Sequence, residues 1–155
     1  MLWPIDVIGR EGADLRAMWG DRPAAYLGMT VPGFPNFFLM YGPGTNLAHG
    51  GSLIFHSECQ MRYISQCLEL LIASDVERAT MEPLEERYDD WHERTQREMS
   101  MMVWSQPTIE HSFYKNERGE IHGLSPWRLV DYWNWTKSVD PADFVFAASG
   151  DRGDR

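Results

Sequence analysis

The chain has 155 residues, a formal net charge of −9 and 43% apolar residues. That length fits one domain with a moderate core. The acidic balance excludes nucleic acid as a partner, because such binding rests on Lys and Arg neutralising phosphates. No stretch approaches the roughly 20 consecutive apolar residues of a membrane span.

Met1-Leu2-Trp3-Pro4 leads straight to Asp6 with no secretory pattern, and a cytoplasmic location is expected. Leu2 to Trp19 reads as a short strand, a turn at Gly9–Gly12 and a short amphipathic piece from Leu15. Gly20 to Pro35 carries prolines and glycines throughout and reads as loop or short strands. Phe37 to Tyr41 is a continuous apolar run closed by Gly42-Pro43-Gly44, which predicts a buried strand.

Ser52 to Ile72 has helical spacing, with Leu53, Met61, Ile64, Leu68, Leu71 and Ile72 expected on the packing face. Phe55, Cys59, Tyr63 and Leu70 add apolar positions elsewhere, so burial on more than one side is expected. Cys59 and Cys67 lie about 12 Å apart along that helix at 1.5 Å per residue, too far for a mutual disulfide. Buried free thiols in a reducing compartment are the simple account.

After Asp75 the composition changes: nine acidic and four basic residues fall between Asp75 and Glu98. This reads as a solvated helix, started near Thr80–Pro83, that docks a stripe of Leu84, Tyr88, Trp91, Thr95, Glu98 or Met99, and Met102. Val103 to Ile121 reads as two short strands around the turn Asn116–Gly119. Ser125-Pro126 predicts the cap and first turn of a last helix, Trp127 to Lys137, packing through Leu129, Val130 and Trp133. Asp140-Pro141 closes it, and residues 149–155 read as a flexible tail.

Residues 23–57 contain no Asp, Glu, Lys or Arg. Strand, glycine-rich turn, helix is an arrangement that holds nucleotides and flavins. Glycine lets the backbone approach a ligand, and a helix start offers unpaired N–H groups with partial positive charge. The dinucleotide fingerprint G-x-G-x-x-G is absent, so an ordinary tight connection explains the spacing equally well.

The block from Ala25-Tyr26-Leu27-Gly28-Met29-Thr30-Val31-Pro32-Gly33-Phe34-Pro35 through Asn36-Phe37-Phe38-Leu39-Met40-Tyr41-Gly42-Pro43 closely resembles the C-terminal region of Baeyer–Villiger-type flavin monooxygenases. The hydroxyacetophenone monooxygenase branch is nearest. Glu58-Cys59-Gln60-Met61-Arg62-Tyr63-Ile64 and Trp127-Arg128-Leu129-Val130-Asp131-Tyr132-Trp133 extend the likeness over nearly the whole chain. Both Rossmann fingerprints and the F-x-G-x-x-x-H-x-x-x-W-P signature of such enzymes are missing from this sequence.

The resemblance implies an α+β piece, about the last third of an enzyme that uses FAD and NADPH to insert oxygen into ketones or oxygenate heteroatoms. By the same resemblance, residues 1–22 return from the NADPH domain and 23–148 complete the FAD domain. Tyr41, Gly42, Thr45, Asn46, Leu47, Gly50, Gly51 and Ser52 would wrap the isoalloxazine edge. Backbone N–H groups near Asn46, Leu47, Gly50 and Gly51 would face its pyrimidine carbonyls, and Ser52 and Leu53 would also approach the substrate. The arginine on which the family's oxygenation depends lies in the NADPH domain, so no catalytic residue is expected here, and the chain alone is expected to bind no cofactor. The Rossmann domains are the expected partners, in cis or in trans. Without them the alternative is a non-catalytic interaction module, self-associating through Asn36–Ser57 with some of Phe34, Phe37, Phe38, Leu47 and Phe55 exposed.

Other constellations carry less. His49-Gly50-Gly51-Ser52 is reminiscent of an esterase oxyanion loop, but G-x-S-x-G is absent. His56 and Glu58 stand two apart on a helix and face different sides, unlike a zinc-binding i, i+4 pair. His92, His111 and His122 show no ligand spacing, and no metal is expected.

Overall fold

A computed structural model describes residues 4–48, 50–74, 76, 78–106, 108–109 and 112–148. The longest element is α2, Leu53–Ala73, started by Ser52, whose hydroxyl accepts the Phe55 N–H at 3.2 Å. That is the N-cap bond that satisfies one of the orphan donors of a helix start.

The face that α2 buries is not the aliphatic one. His56, Cys59, Gln60, Tyr63 and Cys67 are buried, spaced at the helical repeat. Leu53, Met61, Leu68 and Ile72 are exposed at 48%, 57%, 45% and 84%, and Ile54 at 73%. The expected packing face is therefore corrected. Of that expected face Ile64 and Leu71 do pack, half-buried with Leu70 against the cluster around Tyr63, Cys67 and Met81, so the correction falls on Leu53, Met61, Leu68 and Ile72.

Helix α4, Leu129–Thr136, lies across α2. It starts at Leu129 with Arg128 as its cap residue, later than Ser125-Pro126 suggests, and it buries Tyr132 and Thr136. Val130, expected in the packing face, is 54% exposed, because the α4 face that meets α2 is the one carrying Tyr132. The Tyr132 hydroxyl donates to the Leu27 carbonyl at 2.7 Å, tying α4 to the loop that carries Leu27.

The short helix α1 is Leu15–Trp19, capped by Asp14, whose carboxylate accepts the Ala17 N–H. Leu15 and Trp19 pack with Ala25, Val31, Phe34 and Leu39 in one cluster. The apolar run Phe37–Tyr41 forms no strand. Leu39 donates to the Met29 carbonyl at 2.8 Å, and Tyr41 turns the chain with φ of +56°.

Strand β2, Ala79–Pro83, pairs antiparallel with β4, Phe144–Ala148, with Met81 opposite Phe146. Thr80–Pro83 thus belongs to a strand rather than opening a helix, and the next helix, α3, Glu85–Ser100, has Leu84 as its cap residue. Asn36 occupies the other edge of β2: its N–H donates to Met81 O and its Oδ1 accepts the Met81 N–H, both at 2.9 Å. One residue with φ of +58° thereby takes the place of a third strand. Glu82 is buried and receives Arg10 at 2.5 Å and the Gly33 N–H at 2.6 Å.

Helix α3, Glu85–Ser100, buries Thr95 and Met99, with Tyr88, Trp91 and Met102 half-buried along the expected stripe. Arg94 lies over the rings of Trp127 and Trp135, 5.0 and 4.6 Å from their centroids. Strand β1, Asn46–Leu47, pairs parallel with β3, Leu124–Ser125. Between α3 and β3 the expected hairpin reduces to a single bridge, Lys115 to Ile121, around the Asn116–Gly119 turn. The class is α+β: four helices and two two-stranded sheets among the described residues. His49, His111 and the expected tail, 149–155, lie outside those residues. Among the described residues, no helix is long and apolar enough to cross a membrane.

Candidate functional site

The segment from Tyr41 to Leu53 runs from the end of a pinned turn to the first turn of α2. Its first half is held from within the chain. Gly42 and Thr45 are buried, and the Thr45 hydroxyl donates to the Gly42 carbonyl at 2.6 Å. A Cβ on Gly42 would stand 2.4 Å from the Gly28 carbonyl, and one on Gly28 would stand 2.0 Å from the Thr45 methyl. These residues interlock, and nothing larger fits where the two turns cross.

Asn46 is likewise committed. Its N–H donates to Gly123 O at 3.0 Å, and its side chain accepts the Tyr41 hydroxyl at 2.6 Å. The Asn46 N–H therefore faces β3 and not outward, contrary to what the resemblance implied. Parallel pairing alternates direction along the strand: the Asn46 and Ala48 N–H groups reach β3, so that of Leu47 turns to the opposite side.

The second half is open. Gly50, Gly51, Ser52, Leu53 and Ile54 are all exposed. A Cβ on Gly50 meets nothing within 4 Å. Gly51 has φ of +153°, and a Cβ there would stand 3.0 Å from the Leu129 side chain. The Leu53 and Ile54 N–H groups belong to the first turn, where no intrahelical acceptor exists. The exposed Gly50, Gly51, Leu53 and Ile54, with the half-buried Leu47, thus bring backbone N–H groups to the positive end of a 21-residue helix.

The residues do not converge on one cavity. Tyr41, Gly42 and Asn46 line a groove with Phe113, Tyr114 and Glu120. Ser52 lines a second, open and mostly apolar groove with Phe55, Arg62, Leu129, Val130 and Trp133. Arg62 stands 4.4 Å over the Trp133 ring there.

Behind the open edge, His56 stacks on Tyr132 with ring centroids 3.8 Å apart. It is 1% exposed, and neither ring nitrogen has a hydrogen-bond partner among the described residues. Burial pushes its pKa down to about 4, so the ring is neutral at ordinary pH. Burial raises the Cys59 thiol and pushes Cys67 up to about 12, and both cysteines are free. These thiols are packing groups rather than nucleophiles. Glu120, despite partial burial that opposes ionisation, is pulled down to about 2 by Asn116, Arg22 and His122. Among the described residues no cluster of His, Cys, Asp and Glu is suited to a metal.

Gln60 is the residue that pattern reading passed over. It is fully buried, and its side-chain oxygen accepts the Tyr41 N–H at 2.9 Å. The only signal in the sequence is a polar residue in register with Tyr63 and Cys67, which counts as a wet position until the buried face is known.

No family model matches the chain. It is 41% identical over 144 residues to the uncharacterized monooxygenase y4iD of Sinorhizobium fredii, covering 92% of this chain and 21% of that protein. It is 36% identical over 151 residues to the FAD-binding monooxygenase ktnD of Aspergillus niger, covering 96% and 24%. A Baeyer-Villiger monooxygenase of Pseudomonas aeruginosa is 37% identical over 64% of the chain and 18% of its own length. The structure of an oxidized steroid monooxygenase bound to NADP superposes with a TM-score of 0.74 at 23% identity, over 93% of this chain and 26% of that one. The chain thus spans about a fifth to a quarter of these proteins, less than the third suggested by the resemblance. It is similar over nearly all its length to one part of the FAD-binding and Baeyer–Villiger monooxygenases, and it has the fold of the matching part of the steroid enzyme.

Proposed function

We propose that this chain is the C-terminal, flavin-facing part of an FAD- and NADPH-dependent monooxygenase of Baeyer–Villiger type, nearest the hydroxyacetophenone branch. One observation carries the reading: the exposed residues Gly50–Ile54 offer backbone donors at a helix start, in a chain 36% identical to an FAD-binding monooxygenase. The donor set fits the cofactor, since the isoalloxazine pyrimidine edge presents carbonyl acceptors that gain negative charge on reduction.

The N–H groups of Leu47, Gly50, Gly51 and Leu53 would hold that edge, and the α2 dipole would favour its charge. The absent side chain at Gly50 leaves room for close approach, and Ser52 and Leu53 stand at the border toward substrate. Bound FAD would supply the redox chemistry, with NADPH as reductant and O2 as the source of the oxygen inserted into a ketone or added to a heteroatom. The apolar groove of Phe55, Leu129, Val130 and Trp133 would exclude water beside it.

Residues 1–22 would lead in from the NADPH-binding domain and 23–148 would complete the FAD-binding one. The outward stripe of α2 would be covered by the Rossmann domains, in cis or on a second chain. Relatives four to five times longer have the chain length for such a cover. The test is a graft of this chain in place of the matching part of the Sinorhizobium fredii relative. A yellow protein with stoichiometric flavin is expected, and a folded, colourless graft overturns the reading.

A further inference from the structure

We propose that Gln60 is the positioning residue of the flavin-facing edge, acting through Tyr41 and Asn46. This rests on the reading that Leu47–Leu53 meets the cofactor. It reassigns Tyr41 and Asn46 from contacts of the cofactor to its support.

The relay has three links. Gln60 sits on the buried face of α2, fully enclosed, so its amide is fixed by packing. Its oxygen accepts the Tyr41 N–H at 2.9 Å. Tyr41 has φ of +56°, a backbone conformation that a side chain with a Cβ adopts only when its surroundings impose it. The turn aims the Tyr41 hydroxyl at Asn46, where it donates to Oδ1 at 2.6 Å. Asn46 is then held twice, by that bond and by its own N–H on Gly123 O at 3.0 Å.

Fixing Asn46 also fixes the direction of Leu47. β1 has only two residues and one neighbour, so it is too short to hold its own register. A one-residue slip would exchange the directions of Asn46 and Leu47 and turn the Leu47 N–H inward. The relay therefore decides which amide faces the flavin. It also couples that amide to α2, the helix whose first turn supplies the neighbouring donors. One rigid body thus carries both halves of the edge, which spares the cofactor from ordering a mobile loop when it binds.

Tyr41→Phe keeps the ring and removes only the bond to Asn46, and Gln60→Met removes the acceptor with similar volume. Amide hydrogen exchange in the 155-residue chain reads the relay without cofactor. The expected result is about tenfold faster exchange at Asn46 and Ala48 in each variant, with α3 amides unchanged. The double variant is expected to go no further than the worse single one, because both cut one line. In the graft, Tyr41→Phe is expected to weaken FAD binding about tenfold at unchanged melting temperature of the apoprotein. Exchange that stays at the wild-type rate at Asn46 and Ala48, or rises equally in α3, overturns the relay. A wild-type graft without flavin instead overturns the cofactor reading, while the exchange experiment still judges the relay. If Gln60→Met fails to fold, Tyr41→Phe alone decides.

Discussion

His56 and Tyr132 lie face to face, 17° from parallel, and clamp the first turn of α2 to α4 through an imidazole whose ring nitrogens have no hydrogen-bond partner among the described residues. The clamp works only with a neutral ring, because a buried imidazolium with no partner would carry the desolvation cost of a charge.

Stability is therefore expected to depend on pH through His56. Its folded pKa of about 4 lies below the ordinary 6.5, so the unfolded chain binds the extra proton between those values. The His56 contribution is constant above pH 6.5 and stability falls as pH drops from 6.5 to 4, by up to roughly 3 kcal/mol at 1.36 kcal/mol per pKa unit. Urea midpoints measured across that range check this. His56→Phe is expected to flatten the profile, and an unchanged slope in that variant refutes the assignment.

The two adjacent glycines of the open edge are expected to part company. Gly51→Ala meets the Leu129 side chain at an unfavourable φ, and a loss of roughly 1–3 kcal/mol is expected in thermal or chemical unfolding. Gly50→Val points into open space, so the isolated chain is expected to keep its stability within experimental error. In the flavin-binding graft the same Gly50→Val is expected to lower FAD content. Equal flavin content in wild type and Gly50→Val would show that nothing approaches Gly50.

The isolated chain is expected to self-associate, but through a different surface from the one the sequence suggests. Phe34 is only 2% exposed and Phe37, Phe38, Leu47 and Phe55 are half-buried, so the open apolar side chains of the charge-free segment are Met40, Leu53 and Ile54, the last two already on α2. The open stripe is on α2, at Ile54, Met61, Leu68 and Ile72. An apolar helix face of this length seldom stays uncovered in a monomer. Light scattering is expected to show a concentration-dependent dimer that Met61→Glu with Leu68→Glu abolishes. A wild-type monomer at high concentration, with no binding of a hydrophobic dye, contradicts this.

NADPH oxidation by the pure chain with added FAD is expected to be at background. Neither glycine fingerprint that seats a pyrophosphate at a helix start is present. A steady fall in absorbance at the nicotinamide band, proportional to protein, would be the contrary result.

Local chemistry alone determined where α2 begins, because Ser52 supplies its own cap, and where the chain turns, because the glycines and prolines between Gly28 and Gly51 permit little else. The docking stripe of α3 was legible for the same reason: Tyr88, Trp91, Thr95 and Met99 follow one period in a charged background. Periodicity names the stripes of a helix but not the one that finds a partner. On α2 that choice fell to Tyr132, which stacks on His56, and to Leu27, which anchors Tyr132; both lie far from α2 in sequence. The pairing of β2 with β4 and the bracketing of Met81 by Asn36 are likewise contacts between distant segments, invisible in any local window. Gln60 shows the same limit at the site itself. Its polarity reads as solvent exposure until the fold encloses it, and only then does its side-chain oxygen find a donor, the N–H of Tyr41.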